Sequence, residues 1–350
     1  MNRNERISAF STLGAFLSQF PNDEINQNFE SLNKQFYDVF LSEIKLAEMD
    51  NRWFIKEHIL QAFDAWGKLL NNDNLTNWTK KYSFSTNSKN IGVVQAGNIP
   101  LVGFHDFLSV LISGHRFIGK SSSKDRRLPQ LLGQLLIAIE PRFSSEISWV
   151  ERVKDVDAII ATGSDNTARY FEYYFGKKPN IIRKNRSSWA ILTGKETPED
   201  LYLLGKDIFS YYGLGCRNIS KLFVPDNYDF KNFFEAIEPF YYVYNNNKYA
   251  NNYDYNQSVY LMNLLDFLQN GFVILKEDIG HHSPLSVVFY ENYSKIETVQ
   301  NRIKQQENEI QCICSSNSSI QNTIPFGKSQ EPELWDYADN IDTLDFLSNL

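Results

Sequence analysis

From about residue 91 the chain repeats one pattern: a short β-rich run, a turn of small residues, then an apolar segment of helical length. Ile91-Gly-Val-Val-Gln95 leads through Ala96-Gly-Asn-Ile-Pro100 into Leu101–Ile112, and His115-Arg-Phe-Ile-Gly-Lys120 precedes the apolar stretch Leu128–Ile139. Asp157-Ala-Ile-Ile-Ala-Thr-Gly163 then runs into a helix over Asn166–Phe175. Parallel strands need crossovers of about a dozen residues or more, which these spacings supply, so the pattern predicts an α/β fold on a largely parallel sheet. The alternation continues with strands at Trp189–Leu192 and Lys221–Pro225 and a helix over Pro198–Tyr211 that Pro198 opens from its first turn. It runs on through Phe230–Ile237, Val259–Leu268, Phe272–Leu275, Leu285–Phe289 and Ile296–Gln305 to about residue 314.

Residues 1–75 read differently. Ile7, Phe10, Leu13 and Leu17, then Phe36, Val39, Phe40 and Ile44, recur at helical spacing, with Pro21 breaking the first series, and predict packing helices. The clustered Asn and Tyr of Asn245–Tyr255 predict a loop or insertion.

Composition narrows the function classes. At 42% hydrophobic and 22% charged residues, the 350-residue chain can bury a sizeable core. A formal charge of −7 argues against a general nucleic-acid binder, which needs excess Lys and Arg to displace counterions. Three cysteines cannot make a disulfide framework. The N-terminal MNRNERISAFSTLGAFLSQFP has neither a long apolar run nor a small-residue cleavage site, and no stretch reaches about 18 apolar residues. A soluble cytoplasmic protein without an integral membrane segment is expected.

Several residues are equipped for chemistry. Cys216 stands between Gly215 and Arg217 at a helix-to-strand junction, with glycines at 213 and 215 permitting a tight path close to a ligand. A thiolate there, stabilised by Arg217 or by oriented amides, would form covalent acyl intermediates; the competing reading is a buried, inert thiol. Asn98 follows a strand and precedes a helix, at the edge where open α/β sheets bind ligands, and its amide could donate to an oxyanion; the alternative is an ordinary turn asparagine. Thr162-Gly-Ser164 occupies a second such turn. Lys120-Ser-Ser-Ser-Lys124 offers ammonium and hydroxyl groups to a ribose or phosphate, or is a solvated loop. Cys312 and Cys314 look like same-face strand residues, His281-His282 point to opposite faces of an extended chain, and no metal site is expected.

In this order the motifs resemble the aldehyde dehydrogenase superfamily, and within it the acyl-CoA reductases similar to the fatty-acid reductase subunit of bacterial bioluminescence. Ala96-Gly-Asn-Ile-Pro-Leu101 looks like the turn whose asparagine helps form the oxyanion hole, and Lys120-Ser-Ser-Ser123 like the segment that holds the adenosine ribose. Thr162-Gly-Ser164 resembles the turn beside the nicotinamide, and Gly213-Leu-Gly-Cys216 the nucleophile segment. Glu277-Asp-Ile-Gly280 with Pro284-Leu-Ser-Val-Val288 resembles the strand whose glutamate reaches the nicotinamide ribose, and Pro325-Phe-Gly-Lys328 the closing segment. The resemblance covers roughly residues 85–330, and the ending, with Trp335-Asp-Tyr-Ala-Asp339, looks like the tail of a Bacteroidetes-type branch.

The resemblance implies a Rossmann-type cofactor domain over 86–190, a catalytic domain over 191–320, a helical region over 1–85 and a tail over 321–350. It implies Cys216 as nucleophile and Asn98 as oxyanion donor, with Lys120, Ser123, Lys124, Thr162, Gly163, Ser164 and Glu277 at the cofactor. The departures refine it. Where hydrolytic members carry a Glu-Leu-Gly-Gly base, this chain reads Asn180-Ile-Ile-Arg-Lys-Asn185, with no carboxylate. Without that base, worth about 10²–10⁴-fold, hydrolysis of a thioester should be slow and reduction should prevail. Ser123 and Lys124, standing where the family has a ribose-binding glutamate, would accept a 2′-phosphate, which favours NADPH, with NADH possible. The expected reaction is reduction of a fatty acyl-CoA or acylated carrier to the aldehyde; the rivals are an aldehyde dehydrogenase forming acid and a non-catalytic acyl-relay or cofactor-binding subunit. A homo-oligomer and an acyl-activating enzyme as partner are implied as well.

Overall fold

The computed structural model describes residues 1–84, 87–163, 165–317 and 320–350. The chain forms two compact units, residues 1–184 with 333–350, and residues 185–332. The helical segment expected over 1–85 and most of that expected over 86–190 share the first unit, and the tail divides, 321–332 in the second unit and 333–350 in the first.

The first unit opens with five helices: α1 (Arg3–Leu17), α2 (Gln19–Asn22), α3 (Glu30–Asp50), α4 (Lys56–Leu69) and α5 (Asn72–Thr79). Asn2 and Glu5 start α1 with a reciprocal capping box. Ile7, Phe10, Leu13 and Leu17 are buried as their spacing predicts, with Phe40 and Ile44 from α3, while Val39 faces outward. The sheet follows: β1 (Asn90–Val94), α6 (Phe104–Ile112), β2 (Arg116–Lys120), α7 (Arg127–Ile139), β3 (Ile147–Trp149), β4 (Ala158–Thr162), α8 (Asp165–Phe175) and β5 (Asn180–Arg183). The strand order is β3-β2-β1-β4-β5 and every pairing is parallel. From β1 the chain builds first to one side and then to the other, so the switch point lies between β1 and β4.

The last residues return to this unit through polar contacts. The Trp78 indole N–H donates to the Tyr337 hydroxyl (2.8 Å), which also meets the Tyr82 hydroxyl (2.8 Å). His105 Nε2 bonds the Leu334 carbonyl at 2.9 Å and His115 Nε2 the Leu347 carbonyl at 3.0 Å. Buried Arg183 pairs with Asp106 (2.6 Å) and donates to Thr343 Oγ1 (3.0 Å) at the start of the terminal helix, Thr343–Ser348.

The second unit contains β6 (Ser187–Ile191), α9 (Pro198–Phe209), β7 (Ile219–Pro225), α10 (Lys231–Ile237), α11 (Asn247–Met262), β8 (Leu268–Gln269), β9 (Ile274–Glu277), β10 (Val287–Tyr293), α12 (Ile296–Gln305) and β11 (Ile310–Ser315). Its order is β11-β6-β7-β10-β9-β8, parallel except for the short β8–β9 pair. The expectation of a loop at Asn245–Tyr255 is corrected: Asn246 caps α11, and Tyr249, Tyr253, Asn256 and Tyr260 form its buried stripe. Their spacings of four, three and four residues are helical, a signal hidden by the low helix propensity of the asparagines between them. Among the described residues no helix is long and apolar enough to cross a membrane.

Candidate active site

In the first unit, the expected cofactor and oxyanion residues gather at the carboxyl ends of β1, β2 and β4. Half-buried Asn98 lies in the turn that follows β1. That turn is held at several points. Gln95 N–H donates to the Lys120 carbonyl (3.0 Å) and the Gln95 side chain to the Gly103 carbonyl (3.1 Å). Leu101 adopts a left-handed φ of +57°, and its N–H donates to Asp125 Oδ2 at 2.8 Å. Gly97 permits the close approach of the next loop: a Cβ there would lie 2.6 Å from the Ser122 side chain and 3.0 Å from Asp125 N.

Lys120 ends β2, and Ser123 and Lys124 are exposed on the loop beyond it. Thr162 ends β4 and Gly163 follows it, its N–H donating to the Arg183 carbonyl (3.3 Å). Ser164 lies outside the described residues. Buried Asp125, unremarkable in the sequence, has its carboxyl pushed up to about 7 by burial, against the opposing bond from Leu101.

In the second unit, Cys216 is exposed on the connection from α9 to β7, just before β7 begins at Ile219. The helix expected to reach Tyr211 ends at Phe209, because Tyr211, Tyr212 and Gly213 take left-handed φ values of +52°, +58° and +78°. Asn218 fixes this path. Its Nδ2 donates to the Asp207, Ile208 and Ser210 carbonyls (3.0, 3.3 and 2.9 Å), and its Oδ1 accepts from Gly215 N–H (2.8 Å). Ser188, wholly buried on β6, donates through Oγ to the Cys216 carbonyl at 2.9 Å.

Arg217, the cation expected beside the nucleophile, donates through Nε to the Ser329 carbonyl (2.6 Å). Asp207 accepts from Gly327 N–H (2.7 Å) and Ser329 N–H (2.9 Å), so the Pro325-Phe-Gly-Lys328 segment and the Cys216 turn are tied to the same end of α9. Cys312 and Cys314 share a hydrogen bond on β11, with Ser188 Oγ 3.1 Å from Cys312 Sγ. The Cys314 bond, aided by Arg217's charge, holds the Cys312 thiol below its ordinary value against burial, and the bond to Cys312 pushes Cys314 up.

Glu277 ends β9, exposed, with Asn292 Nδ2 donating to its Oε1 (3.0 Å). The chain then crosses the sheet on the way to β10. Lys221, wholly buried on β7, pairs with Glu291 and donates to the carbonyls of Asp278 (3.3 Å) and Gly280 (2.8 Å), while Ser187 Oγ donates to the His281 carbonyl (2.7 Å). The crossing segment ends beside a cavity of about 160 Å³ lined by Phe209, Tyr212, Leu214, Tyr249 and Leu285, next to the turn that leads to Cys216. Among the described residues no group of three His, Cys, Asp or Glu side chains could hold a metal. Sequence reading missed Asp125, Asn218, Ser188 and Lys221; of these only Lys221, a charge between Ile219 and the apolar run Leu222-Phe-Val-Pro225, carries a signal.

No protein-family model matches the sequence, and no curated protein matches it. Solved structures do. Aldehyde dehydrogenase 21 from Physcomitrella patens, in complex with succinate, is 14% identical, with a TM-score of 0.62 over 91% of this chain and 74% of the other. An aldehyde dehydrogenase from Mycobacterium tuberculosis, complexed with NAD+, is 11% identical, with a TM-score of 0.61 over 91% and 74%. KauB of Pseudomonas aeruginosa is 12% identical, with a TM-score of 0.63 over 91% and 73%. The chain therefore has the aldehyde-dehydrogenase fold, with a helical N-terminal region, a Rossmann-like parallel sheet and a second, mixed sheet.

Proposed function

We propose that this protein reduces an acyl thioester, a fatty acyl-CoA or an acylated carrier, to the aldehyde, using NADPH. The observation that carries the proposal is an exposed Cys216 on a rigidly hydrogen-bonded turn in a chain whose segment 180–185 holds no carboxylate. An exposed thiolate attacks a thioester carbonyl and expels the carrier thiol, forming an acyl-cysteine. Asn98 and the Cys216 backbone N–H are assigned to the oxyanion, where losing one donor costs about 10²–10³-fold in rate.

The residues fit a nicotinamide dinucleotide. The switch point between β1 and β4 is the place where open parallel sheets bind such groups, and the half-buried Lys120 ammonium with exposed Ser123 and Lys124 suits a ribose phosphate. Thr162, Gly163, Ser164 and Glu277 are assigned to its nicotinamide end. When bound it supplies the hydride that converts the acyl group to the aldehyde. The chain's own contribution is to bind the dinucleotide, hold the acyl group on Cys216 and stabilise the negative oxygen. A homo-oligomer, and an acyl-activating enzyme as donor, complete the proposal.

The test is NADPH oxidation with a series of fatty acyl-CoAs, with the aldehyde trapped and Cys216→Ala run alongside. Aldehyde formation that disappears in Cys216→Ala is expected. Acid release from aldehyde and oxidised cofactor, without thioester reduction, would overturn the proposal in favour of a dehydrogenase. Aldehyde formation that persists in Cys216→Ala would remove the acyl-cysteine.

A further inference from the structure

The loop after β2 carries Lys120, Ser123 and Lys124, and the turn after β1 carries Asn98. Asp125 joins the two. It closes the loop, with its own N–H donating to the Ser122 carbonyl (3.3 Å) and Lys124 N–H donating to Ser122 Oγ (3.2 Å). From that closed loop its Oδ2 accepts the Leu101 N–H at 2.8 Å, three residues beyond Asn98. Leu101 is where the turn needs holding, because its φ of +57° is unfavourable for a residue with a Cβ and persists only where surrounding contacts over-determine it. Gly97, on the other side of Asn98, is pressed against Ser122 and Asp125 too tightly for any Cβ. The Asn98 turn is thus gripped on both flanks by the loop assigned to the cofactor.

The carboxylate is an unusual choice for this task. Asp125 is 4% exposed, and among the described residues its Oδ1 has no hydrogen-bond partner. A buried carboxylate with one oxygen unsatisfied is a poor stabiliser of a fold. Its place at the junction of these two loops fits a task other than stability.

We propose that Asp125 is a positioning residue: it fixes the Ile99-Pro100-Leu101 turn so that the Asn98 amide is preorganised, and it links that turn mechanically to the loop that binds the coenzyme. The inference rests on the oxyanion role proposed for Asn98. The charge is not needed for the grip, only an acceptor at the place of Oδ2, so Asp125→Asn keeps the function and Asp125→Leu loses it.

The experiment compares the full-length protein with both variants by two readouts. The first is amide hydrogen exchange of the peptide covering residues 96–104, which needs no substrate. Asp125→Leu should exchange there at least tenfold faster than wild type while its melting temperature is held or raised, and Asp125→Asn should stay within threefold. The second is the rate of Cys216 acylation by octanoyl-CoA, followed by intact mass, which should fall at least tenfold in Asp125→Leu and be kept in Asp125→Asn. Exchange unchanged in Asp125→Leu, or accelerated equally in both variants together with a fall in melting temperature, overturns the positioning role. Faster exchange in Asp125→Leu with undiminished acylation overturns the link to Asn98. A wild-type protein that octanoyl-CoA does not acylate, with the exchange result intact, counts against the thioester reading and leaves the grip on the turn standing.

Discussion

Replacing Asp125 by Asn should make stability respond to pH in a way that isolates one buried carboxyl. In the folded protein that carboxyl titrates at about 7, raised by burial against the single N–H bond from Leu101. In the unfolded chain it titrates near 3.9. Above pH 7 both states are ionised, and the folded state carries the full cost of a buried anion, about 3 units at 1.36 kcal/mol each, or about 4 kcal/mol. As pH falls from 7 towards 4 the folded state takes up a proton that the unfolded state does not, and the cost disappears. Asparagine cannot titrate; its amide, buried without a partner at the place of Oδ1, adds a penalty of about 1–3 kcal/mol that is independent of pH. The stability of Asp125→Asn minus that of wild type should therefore shrink by about 3 kcal/mol between pH 8 and pH 5. Buried His58, lowered to about 4, and His105 and His115, also lowered by burial, act in the opposite sense, losing stability as pH drops below about 6.5, but they are common to both proteins and cancel. Urea unfolding followed by tryptophan fluorescence is a suitable assay, because of the six tryptophans only Trp189 lies outside the unit that contains Asp125. A difference that stays flat with pH, or grows towards acid, would refute the assignment of a buried, half-satisfied carboxyl.

Asn218→Ala removes the acceptor of Gly215 N–H and the donor to three carbonyls, and should cost about 1–3 kcal/mol in urea unfolding while slowing acylation of Cys216 more than it lowers stability. Asn218→Asp keeps the acceptor but sets a charge against those carbonyls, and should be the worse variant by both measurements. Lys221→Met strands Glu291 and frees the Asp278 and Gly280 carbonyls, for an expected loss of about 3–5 kcal/mol; Lys221→Met with Glu291→Leu should recover part of it, and a double-mutant cycle checks the coupling. Tyr337→Phe takes the partner from the Trp78 indole and from the Tyr82 hydroxyl, and should cost about 1–2 kcal/mol and hasten proteolytic cleavage within residues 333–350.

The alternation that opens the sequence reads through to the structure where a buried parallel strand is a short apolar run, as Ile159, Ile160 and Ala161 of β4 are, and where the crossover helix has its own apolar face. Polar elements escaped this grammar. β5 is a four-residue edge strand, Asn180–Arg183, whose Arg183 is buried by pairing with Asp106 across a sequence gap that no local pattern reports. α11 escaped it too, because the asparagines between its buried residues Tyr249, Tyr253, Asn256 and Tyr260 are poor helix formers that read as a loop. The site divides along the same line. Asn98, Thr162, Gly163 and Cys216 sit at strand–helix junctions, which turn chemistry announces. Asp125, Asn218 and Ser188 act by hydrogen bonds to backbone groups, and their identity as holders of the site exists only after folding.

The placement of Cys216 shows why such holders are needed. Three consecutive residues before it, Tyr211, Tyr212 and Gly213, are left-handed, and two of them carry a Cβ in a region that costs about 1–3 kcal/mol per residue. A backbone free to relax would unwind this path and move the thiol. Hydrophobic packing can press on the path, and buried Tyr211 and Tyr212 do so, but packing is non-directional and does not fix the rotation of a peptide plane. The Asn218 amide does, because its donors and acceptor lie in one plane and meet Asp207, Ile208, Ser210 and Gly215 at once, while Ser188 holds the carbonyl of Cys216 itself from the neighbouring strand. An exposed thiol gains access by giving up packing; Cys216 keeps its position through the backbone of its own turn, so, with the nucleophile role proposed for it, a substitution at Asn218 should be read in the reactivity of Cys216 before it is read in the fold.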